Sequence, residues 1–120
     1  MKTDNAVREK TYNFALRIVK MYRYIVEEKK EYVISKQLLR CGTSIGANIE
    51  EGCSAQSRKD FINKLSIAQK ESYETRYWLK LLRDSEIIET IYIKSMLKDC
   101  EEIIKLISKI LVTTKKNDKI

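Results

Sequence analysis

Apolar positions return at three- and four-residue spacing in four separate stretches of this chain, the pattern of helices that bury one face. In the first stretch Phe14, Ile18, Met21, Tyr22 and Ile25 form the stripe, and Ala15, Val19 and Val26 widen it. This predicts a helix over about 5–28 with Thr3 or Asp4 as its cap. The charged run Glu28-Lys29-Lys30-Glu31 breaks it. Leu38, Cys41, Ile45 and Ile49 predict a second helix over about 35–51. Gly52 is placed to stop that helix in the left-handed conformation. Phe61, Leu65, Ala68, Ser72, Leu79 and Leu82 predict a third over about 57–83. Ser57, with Asp60 three residues on, opens it in the manner of a capping box. After a turn at 84–89, the fourth stripe is Ile93, Leu97, Cys100, Ile104, Ile107 and Leu111, flanked by Met96, Ile103 and Ile110. It predicts a helix over about 90–113, followed by a Lys-rich tail, 114–120, that frays.

Helices of this size span about 27–36 Å at 1.5 Å per residue. Short connections make sequential helices antiparallel neighbours. The expected fold is therefore all-α: an antiparallel, up-down-up-down four-helix bundle, with residues 1–120 forming one domain. The absence of Pro and the presence of only three Gly agree with that. The second helix has an unusual composition. Between its apolar residues lie Gly42, Thr43, Ser44, Gly46, Ala47 and Asn48, which are poor helix formers. Small side chains let a neighbouring helix approach closely, and that is the expected use of this segment.

Composition excludes more chemistry than it suggests. The chain has no His, so neither a Ser-His-Asp nor a Cys-His catalytic arrangement can form. The Glu-x-x-His pairs of di-iron bundles are excluded for the same reason. Glu71 and Glu74 share a helix face near Glu51, and an all-carboxylate metal site is a poor prospect without imidazole. No Gly-Lys-Ser/Thr sequence follows Gly42, Gly46 or Gly52, so no phosphate loop is expected. Cys41, Cys53 and Cys100 form no close pair and lack a base to activate them; they read as buried, reduced thiols. No cofactor, metal or enzymatic activity is expected. No apolar run is long enough to span a bilayer, and the first residues lack the apolar block of a secretory signal. The expected compartment is the cytoplasm.

The net charge of +7 is unevenly spread. Residues 1–30 carry four net positive charges and residues 57–85 carry three, whereas residues 86–120 carry one. A basic surface suits a polyanionic partner such as RNA or DNA.

The order of motifs brings in a family. Ser44-Ile45-Gly46-Ala47-Asn48-Ile49-Glu50-Glu51-Gly52 resembles the signature of the 23S rRNA intervening-sequence proteins, also described as four-helix-bundle proteins. Gln56-Ser57-Arg58-Lys59-Asp60-Phe61 and the run from Ile67 to Leu79 are similar to the start and body of that family's third helix. The resemblance covers nearly the whole chain. It implies an antiparallel bundle that assembles as a ring, typically a homopentamer. The family includes reading frames found within insertions in bacterial 23S rRNA genes, so a ribosomal-protein label misdescribes it. A related branch is the accessory variability protein of diversity-generating retroelements, a basic pentamer that binds nucleic acid and its reverse transcriptase.

Two sets of side chains follow as candidates. Arg17, Arg23, Arg58, Lys59, Arg76, Lys80 and Arg83 are the candidate nucleic-acid contacts, provided that they cluster on one surface. Arg40, Asn48, Glu71 and Glu74 are candidates for an interhelical polar network that fixes register. Tyr12, Tyr22, Tyr24, Tyr32, Tyr73, Tyr77 and Trp78 are interleaved with the basic residues. They could stack on bases, although core edges and subunit contacts are the commoner use. The expected function is a non-enzymatic, oligomeric accessory protein that binds RNA or DNA. The alternative is a structural scaffold that binds a protein such as a reverse transcriptase.

Overall fold

The computed structural model describes residues 2–118, with side chains from Asn5 to Asn117. Four helices, α1 (Lys2–Tyr24), α2 (Ile34–Cys53), α3 (Arg58–Asp84) and α4 (Thr90–Asp118), form an antiparallel bundle of 51 × 21 × 20 Å. No strand occurs among the described residues. α1 packs on α2 and α4, and α3 packs on the same two helices, so α1 and α3 stand diagonally opposed. The contact between α2 and α3 is the most extensive and that between α1 and α4 the sparsest of the four.

The apolar stripes meet along the bundle axis. Phe14 and Ile18 of α1, with Ile25 just past its end, face Leu38, Ile45 and Ile49 of α2, Leu65, Leu79 and Leu82 of α3, and Ile93, Ile103 and Ile107 of α4, all buried. Burying side chains of this size contributes about 1.5–3 kcal/mol each. The core includes Ser72 of the expected stripe and extends beyond the stripes to Thr11, Ser35 and Thr75. Thr11 and Thr75 donate to carbonyls four residues back, Val7 and Glu71, and Ser72 donates to that of Gln69. These three hydroxyls are thereby satisfied within their own helices, as buried polar groups require.

The helix ends depart from expectation in four places. α1 is already helical at Lys2, so Thr3 and Asp4 lie within its first turn; their side chains fall outside the described residues. Its far end widens into a π turn, Ile25–Lys29, closed by Lys30 in the left-handed region at φ 54°. The stop of α2 is Ser54; Gly52 lies inside the helix and has no positive φ. Its lack of a side chain serves packing, because a Cβ there would stand 2.9 Å from Leu65 Cδ1 on α3. Finally, α4 runs on through Asp118, so residues 114–118 of the tail expected to fray are helical, and 119–120 lie outside the described residues. Thr114 donates to the Ile110 carbonyl at 2.7 Å within that added stretch.

The small residues of α2 have two partners. A Cβ at Gly42 would lie 2.8 Å from Ile18 Cδ1, and one at Gly46 would lie 3.2 Å from the Thr11 carbonyl oxygen, both on α1. Gly42 and Gly46 thus admit α1, while Gly52 admits α3. The N-terminus of α2 is held by a residue outside the expected helix. Glu31 accepts from the amides of Val33, Ile34 and Ser35 at 2.9, 2.7 and 2.8 Å. Ser35 Oγ donates to the Glu31 carbonyl at 2.8 Å. The start of α3 is as expected, with Ser57 Oγ accepting from the Asp60 amide at 3.1 Å.

Candidate nucleic-acid interface

Charged residues at the helix edges pair across the grooves before any surface is left to bind a partner. Between α1 and α4, Lys10 meets Glu102 at 2.8 Å and Arg17 donates to Asp99 and to Ser95 Oγ; where α1 gives way to the π turn, Tyr24 and Lys29 both donate to Glu89, the residue before α4. Lys29, with the Tyr24 hydroxyl also donating, holds the Glu89 carboxyl at about 2. Between α3 and α4, Arg76 lies 3.2 Å from Glu101. Between α1 and α2, Arg8 bridges Glu50. Between α2 and α3, Lys64 lies 2.9 Å from Glu51, so Glu51 is drawn into this pair.

The seven candidate cations therefore do not share one face. Arg17 is committed to the α1–α4 groove, and Arg83 pairs with its neighbour Asp84 at 2.7 Å. Arg23 is exposed on α1, the helix diagonal to α3. Arg58 begins α3 and lines a cavity of about 950 Å³ at the end of the bundle where α2 stops and α3 starts. Lys59 and Lys80 stay exposed on the outward side of α3, whereas Arg76 is committed to Glu101 on α4.

The outward side of α3 is a single line at alternating four- and three-residue steps: Lys59, Asn63, Ser66, Lys70, Tyr73, Tyr77 and Lys80. No carboxylate interrupts it. Tyr73 and Tyr77 are exposed, the latter by 59%. The Arg76 guanidinium lies 5.2 Å from the centre of the Tyr73 ring, within cation–π range. Trp78 is half-buried, stacked edge-on to Tyr77 at 5.0 Å. Aromatic faces flanked by cations are the elements from which nucleic-acid surfaces are built.

A second line was hidden by averaging charge over segments. Lys94, Lys98, Lys105, Lys109 and Lys116 are all exposed on α4. At 100° per residue they fall within about 60° of arc, opposite the buried stripe. The near-neutral balance of residues 86–120 concealed them, because Asp99, Glu101 and Glu102 lie on the same helix. The spacing itself was readable.

Three of the four network candidates meet. Arg40 on α2 donates to Glu74 on α3 and stands 3.5 Å from Glu71 Oε2. Trp78 Nε1, which the sequence reading did not place in the network, also donates to Glu74 at 3.0 Å. The Trp78 hydrogen bond, then Arg40, draw the Glu74 carboxyl below the usual carboxylate range against the opposing effect of burial. Asn48 lies outside the network; its amide donates to the Ser44 carbonyl at 2.8 Å, one turn back on its own helix. Glu71 Oε2 is fully buried without a hydrogen bond, with Arg40 as its counter-charge.

The three thiols form no disulfide; Cys41 and Cys100 are buried and Cys53 is half-buried. Burial pushes Cys41 up to about 11 and Cys100 up to about 12. Neither is a thiolate near neutral pH. Among the described residues, no group of three His, Cys, Asp or Glu could hold a metal ion. No described helix is long and apolar enough to cross a membrane.

Fold and surface together define an all-α four-helix-bundle protein with basic outward helix faces. The chain belongs to the 23S rRNA-intervening sequence protein family, whose sequence model matches residues 3–109. Among solved structures it is similar to a protein of unknown function from the S23 ribosomal protein family of Bacteroides thetaiotaomicron. The two share 54% identity and superpose with a TM-score of 0.89, over 91% of this chain and 97% of the other. No curated protein matches.

Proposed function

We propose that this protein is a non-enzymatic accessory factor that binds nucleic acid, RNA or DNA, through backbone charge, and that it works as a homo-oligomer. The observation that carries the reading is the α3 line, in which Lys59, Lys70 and Lys80 flank the exposed rings of Tyr73 and Tyr77. Cations on such a face have phosphates as natural partners, and the rings have bases. Self-association has a separate surface available. Tyr12, exposed by 64%, and Leu16 stand one turn apart on α1, diagonally across the bundle from α3. A ring built on α1, five-membered by the family expectation, would leave α3 free. The same two residues favour the second reading, a scaffold that docks a protein such as a reverse transcriptase.

The test is fluorescence anisotropy with structured RNA and with duplex DNA at about 50 and 200 mM salt, a range over which multi-phosphate contacts lose orders of magnitude in affinity. Binding that collapses with salt supports the proposal. Absence of binding at the lower salt overturns it and leaves the scaffold. Light scattering on the same sample reads the copy number, and a monomer would remove the oligomeric part.

A further inference from the structure

We infer that the outward lysine line of α4 is a track for the sugar–phosphate backbone of a nucleic-acid duplex. The inference rests on the nucleic-acid reading and assigns it a surface and a ligand form.

The line is long and straight. From Lys94 to Lys116 the helix rises about 33 Å, close to one turn of a double helix, about 34–36 Å. Among the described residues, none of Lys94, Lys98, Lys105, Lys109 and Lys116 makes a hydrogen bond or ion pair, and all are exposed. The acidic residues of α4 that could neutralise the line are turned to its sides. Asp99 is held by Arg17 and Glu102 by Lys10, both from α1, and Glu101 is held by Arg76 from α3. Glu102 lies between Lys98 and Lys105 and senses both, yet its hydrogen bond is to Lys10. Interhelical pairing thus converts a helix of mixed charge into one with a cationic ridge.

The composition of the ridge selects the ligand. Apart from lysine it carries Ile91 and Val112, exposed by 77% and 68%, and no aromatic ring lies between Lys94 and Lys116. Single strands are held by stacking their bases on aromatic faces. A ridge of lysines without rings offers nothing to a base but matches the outer surface of a duplex, whose phosphates are spaced about 3.4 Å per strand along the axis. The α3 line, with Tyr73 and Tyr77, has the rings that unpaired bases need.

The experiment is anisotropy with a duplex of about two helical turns, titrated between about 50 and 200 mM salt. Three full-length proteins are compared: the parent, Lys98→Gln/Lys105→Gln/Lys109→Gln, and a charge-matched control, Lys20→Gln/Lys30→Gln/Lys36→Gln, whose exposed lysines lie on neither α3 nor α4. Far-UV circular dichroism establishes that each is helical, and exposed Lys→Gln changes leave the fold intact. Each lost phosphate contact flattens the slope of log affinity against log salt by about 0.9. The α4 variant is expected to lose about 2.7 from the parental slope, with the charge-matched control keeping it; an equal loss in the control overturns the track. If the α4 variant keeps the parental slope while the parent binds, the track is overturned and the broader reading stands. If the parent itself fails to bind at low salt, both fall.

Discussion

Arg17 on α1 donates to the Asp99 carboxylate on α4, and one residue earlier on α4 Lys98 points to solvent without a partner. The pair is half-exposed and worth at most about 1 kcal/mol. Its larger effect is on the field of α4, because it draws a negative charge away from the lysine ridge. Asp99→Asn should leave the melting transition within about 1 kcal/mol of the parent. It should also steepen the salt dependence of duplex binding by up to about one unit, as Arg17 becomes available to phosphate. A slope that is unchanged or shallower would count against this division of charge.

Gly42 is the position at which the close approach of α1 and α2 is least forgiving. An added Cβ would meet three atoms of Ile18 at 2.8–2.9 Å, and Ile18 is fully buried. Gly42→Ala gains roughly 1 kcal/mol of helix propensity but overpacks the core at a cost of about 1–3 kcal/mol. Net destabilisation in a denaturant melt is expected, and Ile18→Val in the same chain should recover part of it. Gly52→Ala should be milder, because the one atom under 3.0 Å is the far end of the Leu65 side chain, with Lys64 Cβ next at 3.2 Å. Equal stability of the Gly42→Ala protein and the parent would show that the helices part without cost.

Arg40 serves two carboxylates, and the unequal burial of those carboxylates ranks the variants. Glu74→Ala removes the partner of Trp78 Nε1 and should cost about 1–2 kcal/mol. Arg40→Met should cost more, because it leaves the buried Glu71 Oε2 facing no cation. Adding Glu71→Gln to Arg40→Met should restore part of the loss by removing the stranded charge. Thermal melts of the three proteins decide the order; additive effects would argue against a shared network.

Part of the acid sensitivity of the fold should lie at the start of α2. Burial alone would raise the Glu31 carboxyl, but the amides of Ile34, Ser35 and Val33 outweigh it and hold it below the usual range. A native value lowered in this way stabilises the fold above about pH 4.3, where unfolded glutamates ionise. That stabilisation is lost as the pH falls through the native value. Glu31→Gln should therefore cost about 1 kcal/mol at neutral pH, as loss of a helix cap does. Its stability should converge with the parent's in acid, because protonated Glu31 also lacks the charge. Urea melts across the pH series check this, and a constant difference would assign the effect to shape alone.

Periodicity in the chain determined the number of helices, their order, most of their buried residues and the Ser57 cap, because each depends on neighbours within a turn. The absence of His ruled out whole classes of catalysis for the same local reason: it is a matter of inventory. The family signature was equally local, carried by the run from Ser44 to Gly52.

Tertiary structure decided which charges remain available. Arg17 and Arg76 look like free cations along the chain, yet each meets a carboxylate 82 or 25 residues away. Lys98 and Lys105 look neutralised along the chain, yet the acids beside them are claimed by α1 and α3. Gly52 looks like a helix stop and is instead a point of contact with α3. Glu31 caps α2 only because the chain turns back after the left-handed Lys30. Apolar burial is written in spacing because one helix face must be covered whatever covers it. Pairing between charges depends on which helix lies alongside and at what height, and only the assembled bundle sets that.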